Sequence, residues 1–489
     1  MKNFGVVVCA AALASAVSQT SGAALPRLKV SDGGHFLATE EGKPFFYLAD
    51  TAWELFHRLD REEAVRYLDN RARLGFNVVQ AVAIAEEDGV GTPNPYGFKP
   101  FADARTPVPL TKDGPDNDYW DHVDFVVDAA NERGIYVALL PTWGRWWKND
   151  RIFTADSARG YAEWLARRYG GKAVVWVLGG DRPVGSEEER GIIAAFAEGI
   201  RAGDGGRNLV TFHPCGGRGS SQDFHSAQWL DFNMWQHGHE IDYARYEKTL
   251  LDWRRSDPVK PVLDGESVYE GHPVAFNPDG RGHTVAADVR RALYWDVFNG
   301  ACGHTYGHHS VWQMYGSKAA QKHAPRGKNR PIKPWHEAID DPGAAQMRHA
   351  KDLVLSHSYF TRVPAPEMIV PHPQGASIVP GAGTRRFAAA RGSDGSYAFV
   401  YAPVGREFEL DLSAMKGAGF RFAWMNPRDG SYSEWTEFSP VPRKAFRPPA
   451  YGELLDWVLV IERAAALTAF GESLETLQGE VTSNIKHDI

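Results

Sequence analysis

Two carboxylates in this sequence directly follow apolar, strand-like runs and could carry out acid–base chemistry. Asp181 follows the run "AVVWVLGG", and Glu266 ends the run "KPVLDGE". Hydrolysis of a glycosidic bond uses two such groups, because one protonates the leaving oxygen while the other attacks the anomeric carbon or activates water. Either acid could instead cap a helix or pair with an arginine such as Arg182. Two acids at equivalent strand ends favour the catalytic interpretation, with Asp181 as acid/base and Glu266 as nucleophile.

Polar and aromatic residues also stand at the ends of the other strand-like runs. Amides, imidazoles and indoles in one place suit a sugar, whose hydroxyl groups need hydrogen-bond partners and whose ring faces stack on aromatic rings. We therefore predict a substrate-binding set that consists of Asp50, Trp53, Gln80, Trp143, His213, Gln236, His239, Tyr306 and Trp312.

Several histidines raise the alternative of a metal site. They lie in "WQHGHE" and "GHTYGHHS", and barrel enzymes that use a metal do take histidines from strand ends. The first strand, however, has no H-x-H pair, since Asp50 is followed by Thr51 and Ala52. We predict neither a metal nor another cofactor, and we expect His239 and His304 to bind sugar hydroxyls or to orient Glu266.

Alternating strand and helix patterns must position these residues. From about Phe45 to His304, eight short apolar runs are separated by segments of helical periodicity. Near-continuous apolar strands that alternate with helices predict a parallel sheet buried on both faces, and eight units in this length predict a (β/α)8 TIM barrel of the α/β class. A doubly wound open sheet is the competing fold, but no G-x-G-x-x-G follows the first strand. In a barrel, the fourth and seventh strand ends face each other across the mouth.

The pattern changes after about Val363, where short alternating strands and turn signals such as "GSDGS" predict a small all-β sandwich. The first residues combine Lys2, an apolar core and small residues, which is typical of a secretory signal peptide. The predicted organisation is a signal peptide at 1–23, a barrel at 24–360, a β-sandwich at 361–465 and a tail at 466–489.

Charge and composition exclude some classes of partner. The formal net charge is -7 and no long basic run is present, which argues against binding to nucleic acid. No segment after the signal is long and apolar enough for a membrane span. We therefore expect a periplasmic or secreted protein whose partner is an oligosaccharide or glycoside substrate; the sequence does not indicate an oligomeric state.

A set of ordered motifs resembles glycoside hydrolase family 140, whose founding activity is apiosidase. They are "LADTAWELFHRLDREEAVRYLDNRARLGFNVVQ", "WVLGGD", "TFHPCGGRGSSQDFH", "WLDFNMWQHGH", "KPVLDGESVYEG" and "GACGHTYGHHSVW". The later segments "AWMNPRDG" and "DWVLVIE" resemble the β-domain that usually follows, once labelled as collagen-binding. The resemblance implies a barrel, breakdown of plant polysaccharides, and catalysis by the aspartate of "GGD" and the glutamate of "DGE".

The expected function is that of a retaining, exo-acting glycoside hydrolase that releases apiose or a related terminal sugar. Its two carboxyl groups should then lie about 5–5.5 Å apart. One alternative is a glycosidase of the same fold that acts on another pentose or hexose. Others are a carbohydrate-binding protein without turnover and a metal-dependent hydrolase.

Overall fold

A computed structural model describes residues 24–319, 327–371 and 383–464. The predicted signal peptide at 1–23 and the tail at 466–489 lie outside the described residues. Within the described ranges, no helix is long and apolar enough to cross a membrane.

Parallel strands form the barrel, and the predicted (β/α)8 fold is confirmed. The strands are β1 Tyr47–Thr51, β2 Val78–Val82, β3 Tyr136–Leu140, β4 Val174–Gly179, β5 Val210–His213, β6 Asn233–Gln236, β7 Val262–Glu266 and β8 Gly303–Tyr306. Each strand pairs in parallel with its neighbours in the order β5-β4-β3-β2-β1-β8-β7-β6. The barrel closes between β5 and β6, where the Asp231 N–H donates to the Val210 carbonyl at 2.8 Å. All eight strands are buried, as their apolar sequences require.

Helices surround the barrel, and several of them begin at polar caps that end the connecting loops. They are α1 Arg61–Arg73, α2 Tyr119–Glu132, α3 Ala155–Tyr169, α4 Glu187–Asp204, α5 Ser221–Phe224, α6 Tyr243–Trp253, α7 Ala286–Phe298 and α8 Pro342–Leu355. Asp60, Asp118 and Thr154 each form a capping box with the third helical residue. The helix after β5 is a single turn, as the short sequence between "TFHP" and "FNMWQ" predicts.

Smaller elements extend the barrel at both ends. Short strands before β1 are Leu28–Val30, Leu37–Thr39 and Pro44–Phe45, and the long loop after β2 carries a hairpin of Phe101–Asp103 and Thr106–Pro109. Short helices are Leu55–Arg58, Pro278–Arg281 and Trp335–Ala338, and Arg145–Asn149 forms a π-helical turn after β3. The long loop after β2 and the turn after β3 both lie at the carboxyl ends of the strands, where a barrel builds its site.

The C-terminal region is an all-β domain, as predicted. Its strands are β9 Arg362–Pro364, β10 Ala388–Gly392, β11 Tyr397–Ala402, β12 Phe408–Asp411, β13 Phe420–Met425, β14 Thr436–Phe438, β15 Arg443–Phe446 and β16 Trp457–Arg463. Six of them form an antiparallel sheet in the order β9-β10-β11-β16-β13-β14, and β12 pairs with β15. A second apolar core lies within this domain.

Helix α7 joins the two domains. Its residue Arg290 binds the buried Asp456 of the β-domain through two hydrogen bonds of 2.6 and 2.7 Å. Tyr294 stacks on Tyr401 with ring centroids 4.9 Å apart. The same helix lies next to β7 and β8, so the β-domain packs against an element that supports the mouth of the barrel.

Candidate active site

The two predicted carboxylates meet at the mouth of the barrel through one imidazole ring. His213, at the end of β5, accepts a hydrogen bond on Nδ1 from the Asp181 N–H at 3.4 Å. Its Nε2 lies 3.1 Å from Oε2 of Glu266, although the angle is poor for a hydrogen bond. Because Nδ1 accepts, the proton of a neutral His213 is on Nε2, facing the carboxylate. The ring therefore links the backbone of one acid to the side chain of the other.

The end of β4 adopts an unusual backbone that only its sequence allows. Gly179, Gly180 and Asp181 have φ values of 92°, 101° and 48°, all in the left-handed region. A Cβ on Gly179 would lie 2.4 Å from the His213 carbonyl oxygen, and one on Gly180 would lie 2.8 Å from the Trp143 ring. Aspartate tolerates this region better than most side chains do. The two glycines thus let the strand turn against its neighbours and present the carboxylate that follows.

Glu266 is surrounded by groups that favour its ionised form. Its Oε1 lies 3.5 Å from Nε2 of His239, and the hydroxyl of Tyr269, which accepts from Trp53 Nε1 at 3.1 Å, faces the same carboxylate. Burial alone would raise the pKa of Glu266, but the imidazoles of His213 and His239 outweigh it and hold the pKa below its usual range. Glu266 is therefore an anion at neutral pH, as a nucleophile must be.

The surroundings of Asp181 shift its pKa in the opposite direction. Burial, followed by the negative charge of Glu266, raises the pKa of Asp181 above its usual value. Arg182 Nη1 does contact Oδ2 of Asp181 at 3.2 Å, but Nη2 of the same guanidinium binds Glu86 at 2.7 Å. The arginine thus divides its charge between two acids, and the side chain of Gln236 provides a further hydrogen bond to Asp181. A raised pKa suits a group that must donate a proton.

Aromatic rings and polar atoms without a protein partner surround the carboxylates. The rings of Trp53 and Trp143 lie 4.9 Å apart, and both contact His213. Among the described residues, the buried polar atoms here without an aligned hydrogen-bond partner include Trp143 Nε1, Gln236 Oε1, His239 Nδ1 and Glu266 Oε2, besides His213 Nε2. Sugar hydroxyl groups could satisfy the first three, and the fourth is an oxygen free to react.

Other predicted substrate contacts lie away from the two carboxylates. Gln80 donates to the Gly265 carbonyl at 2.7 Å, one residue before Glu266. Asp50 binds Arg71 at 2.7 Å, and the Tyr306 hydroxyl donates to Glu270, also at 2.7 Å. Protein partners already occupy most of the polar atoms of these three residues. Their contacts with sugar hydroxyls stay predictions.

Trp312 lies at the outer edge of the site, next to a row of histidines. Its Nε1 approaches Nδ1 of His309 at 3.4 Å, and the His309 ring contacts His272 at 4.5 Å. His272 in turn stacks on His239, with ring centroids 3.9 Å apart. The indole is only partly buried, so it can form part of the outer wall.

Sequence reasoning missed the residues that the loops supply. Tyr269 and His272 come from the loop after β7, as does Phe276, whose ring is 60% exposed beside His239 and His272. Phe276 and the preceding Ala275 both have positive φ values, of 58° and 50°. The sequence signal for these residues was their place in the segment that follows "LDGE". The prediction considered only residues at strand ends and did not include that segment.

A buried group beneath the site has the composition of a metal site. Possible ligand atoms of His237, Asp264 and Asp296 lie within 4.8 Å of one another. The atoms are also at hydrogen-bond distances, with His237 Nδ1 2.8 Å from Asp264 Oδ2. The geometry therefore fits a proton-linked network as well as it fits a cation.

Comparisons with known proteins relate the chain to glycoside hydrolases. Residues 31–361 match the family described as "Apiosidase-like, catalytic domain", and residues 363–462 match "Putative collagen-binding domain of a collagenase". A solved "Glycoside hydrolase" is 32% identical with a TM-score of 0.78, and the alignment covers 90% of this chain and 97% of that one. A glycoside hydrolase family 5 structure from Bacteroides vulgatus is also 32% identical, with a TM-score of 0.79 and coverage of 90% and 95%. The search of curated proteins returned no match.

Proposed function

Because the chain belongs to the apiosidase-like family of glycoside hydrolases, we propose that it is a retaining, exo-acting enzyme that releases apiose or a related terminal sugar from plant cell-wall glycans or glycosides. A carbohydrate is the substrate class that its family implies. The observation that carries the mechanism is the contrast between Asp181 and Glu266, since their surroundings raise the pKa of one carboxyl group and lower that of the other within one pocket.

In the first step, Oε2 of Glu266 attacks the anomeric carbon while Asp181 gives its proton to the glycosidic oxygen. The bond between carbon and oxygen breaks, the leaving group departs as an alcohol, and the sugar is esterified to Glu266. In the second step, the Asp181 carboxylate takes a proton from water, whose oxygen attacks the same carbon. Glu266 is released as a carboxylate and Asp181 is again protonated. Two displacements return the sugar with its original anomeric configuration.

The charges of the pocket change in step with this reaction. When Glu266 is esterified, its negative charge disappears, and with it one cause of the raised pKa of Asp181. Asp181 is then a carboxylate and can act as a base in the second step. His213 contacts both groups and keeps one tautomer throughout, because the Asp181 N–H is always directed at its Nδ1.

Recognition of the sugar is proposed to use the rings and the partnerless polar atoms. The faces of Trp53 and Trp143 can lie against apolar sugar carbons, while Gln236 and His239 bind hydroxyl groups. The exposed ring of Phe276 is available for the part of the substrate that leaves. We also propose export to the periplasm or the medium, on the basis of the signal-like pattern at 1–23.

The test is a substrate screen with the purified protein and two isosteric variants. Chromogenic pentosides and hexosides are assayed beside apiose-bearing plant oligosaccharides, and proton NMR identifies the first anomer released. The expected result is terminal apiose with retained configuration, with activity lost in Glu266→Gln and Asp181→Asn. Release of another sugar would replace the proposed specificity, and an inverted product would overturn the double displacement. Binding without release that survives both substitutions would make the protein a carbohydrate-binding module.

A further inference from the structure

A ring of buried polar side chains lies directly beneath Glu266 and has no part in the mechanism above. It is formed by Asp264 of β7, His237 after β6, Asp296 of α7 and His304 of β8. All four residues are completely buried. Four ionisable groups without access to water are costly unless hydrogen bonds and opposite charges compensate, so their arrangement needs an explanation.

Each of these groups has a defined partner. Oδ1 of Asp264 accepts the Glu266 N–H at 3.1 Å, and Oδ2 lies 2.8 Å from Nδ1 of His237. The carboxyl group of Asp296 is hydrogen-bonded to that of Asp264, and its Oδ2 lies 2.9 Å from Nδ1 of His304. The ring thus starts at the backbone of the proposed nucleophile and passes through two carboxyl groups.

The ring returns to β7 just after the nucleophile. Nε2 of His304 lies 3.3 Å from the hydroxyl of Ser267, the residue that follows Glu266. On the other side, Gln80 holds the Gly265 carbonyl. The register between β6 and β7 shifts at this point, and a Cβ on Gly265 would lie 2.4 Å from the sulfur of Met234. The backbone around Glu266 is therefore fixed on both sides.

Burial and neighbouring charges indicate which of these four side chains carry protons. Burial and the charge of Asp264 raise the pKa of Asp296 well above its usual value, so this group is protonated. Burial would also raise the pKa of Asp264, but His237 outweighs it and keeps Asp264 ionised. Burial lowers the pKa of His304 to about 4, so it is neutral and donates from Nδ1. Asp264 raises the pKa of His237 against the effect of burial, and the short contact places a proton on Nδ1, between the ring and the carboxylate.

We infer that Asp264 and Asp296 are positioning residues for the nucleophile: Asp264 accepts the Glu266 N–H, and Asp296 holds Asp264 in place through the hydrogen bond between their carboxyl groups. This inference rests on the proposed role of Glu266. A displacement of the nucleophile by about 1 Å can cost a hundredfold in rate, so a rigid support is worth its cost of burial.

The β-domain packs against α7, the helix that carries Asp296 of this buried group. Asp296 reaches β7 from one side of α7, while Arg290 and Tyr294 on the helix bind Asp456 and Tyr401 of the β-domain. The helix therefore cannot shift without breaking a buried ion pair. This packing gives the C-terminal domain a role in the site although none of the catalytic contacts described above comes from it.

Two isosteric substitutions test the inference because they should have unequal effects. In Asp296→Asn, the amide N–H replaces the carboxyl O–H that binds Asp264, so kcat should stay within about threefold of the wild type. In Asp264→Asn, the amide cannot accept from Glu266, His237 and Asp296 together, so kcat should fall about a hundredfold with KM nearly unchanged. The rate at which a 2-fluoro glycoside esterifies Glu266 should fall in parallel. Equal losses in the two variants would overturn the inference.

A measurement on the unsubstituted protein covers the case in which Asp264→Asn does not fold. With nitrogen-15-labelled histidine at neutral pH, His237 and His304 should each carry a proton on Nδ1, the nitrogen that faces a carboxyl group in both rings; an Nδ1 without a proton in either ring would overturn the proposed hydrogen bonds. Dialysis against EDTA should leave activity unchanged. If activity is lost and one divalent metal restores it, His237, Asp264 and Asp296 form a metal site instead. If the proposed function itself is wrong, the 2-fluoro glycoside will not label Glu266 in the wild type, which none of the other outcomes produces.

Discussion

Asp181 and Glu266 face one pocket, but they differ in exposure to solvent, in the backbone that carries them and in the charged groups around them. The Asp181 side chain is 36% exposed, follows two glycines and is contacted by Arg182 of the loop and by Gln236 at the end of β6. Glu266 ends a paired strand, where its side chain is 7% exposed beside His213 and its backbone N–H is bound by Asp264.

The difference corresponds to the role that the proposed mechanism gives to each carboxylate. An acid/base group changes its protonation twice in each cycle, so it benefits from access to water and from a charge environment that can change. A nucleophile must be ionised when it attacks and must stay in one position, so it benefits from burial among donors. The predictions below alter one side of the pocket at a time.

Removal of either carboxylate should have the largest effect on kcat/KM and should separate their two proposed roles. Glu266→Gly should lower kcat/KM by about 10⁴-fold or more, because no other group can form the covalent intermediate. Asp181→Ala should lower it by about 10²–10⁴-fold on natural substrates, but little on dinitrophenyl glycosides, whose leaving group needs no proton.

Sodium azide then identifies which residue does what. Azide should rescue both variants, giving a glycosyl azide of inverted configuration from Glu266→Gly and of retained configuration from Asp181→Ala. The products are assigned by NMR, with Glu189→Gln as a control at a carboxylate that pairs with Lys148, which should give no azide product. Exchanged configurations would mean that the two roles are reversed.

The second prediction concerns the histidines that keep Glu266 ionised. In His213→Ala the burial of Glu266 remains but its nearest imidazole is gone, so the pKa of Glu266 should rise. The acid limb of the kcat/KM profile reports the loss of the carboxylate anion, and it should move to higher pH by about one unit. In His239→Ala the shift should be smaller, because that contact is longer, at 3.5 Å.

His213→Gln is the matched variant, since a glutamine amide can still donate to the carboxylate. It should recover part of the shift, and circular dichroism should show that all three variants are folded. An acid limb that stays in place in His213→Ala would mean that another group sets the charge of Glu266.

The barrel and both carboxylates could be predicted from the sequence because they depend on local patterns. Apolar strand runs alternate with capped helices, and in a barrel the residue that follows a strand lies at the mouth. Asp181 and Glu266 follow from this rule alone. Asp50 obeys the same rule but lies against Arg71, because a buried acid takes the nearest cation from the helix that packs over its strand.

The remaining features depend on tertiary contacts that the sequence does not display. Asp264 and Asp296 are far apart in the chain and meet only because α7 packs beside β7. Tyr269 and Phe276 reach the pocket through the path of a loop, including two residues with positive φ. Similarly, Glu86 becomes part of the site only where its loop meets Arg182.

The smallest expected effect concerns Arg182, which divides its charge between Asp181 and Glu86. Burial and the charge of Asp181 outweigh Arg182 and raise the pKa of Glu86 to about 7, so Glu86 gains its charge near neutrality. In Glu86→Gln, Asp181 loses a repelling charge and Arg182 loses a competing partner. The pKa of Asp181 should then fall, and the basic limb of kcat/KM, which reports loss of the acid's proton, should move to lower pH by about half a unit.

Arg182→Met should move the same limb in the opposite direction, because Asp181 loses its only neighbouring guanidinium contact among the described residues. Both variants leave Glu266 and His213, which also act on the pKa of Asp181, in place. Glu189→Gln is the control, since Glu189 pairs with Lys148 rather than with Arg182, and it should not move the limb. Shifts of the same sign in Glu86→Gln and Arg182→Met would show that Arg182 does not set the acidity of Asp181. Shifts of opposite sign would establish that the loop after β2 tunes the acid/base side of the pocket while the strand side stays fixed.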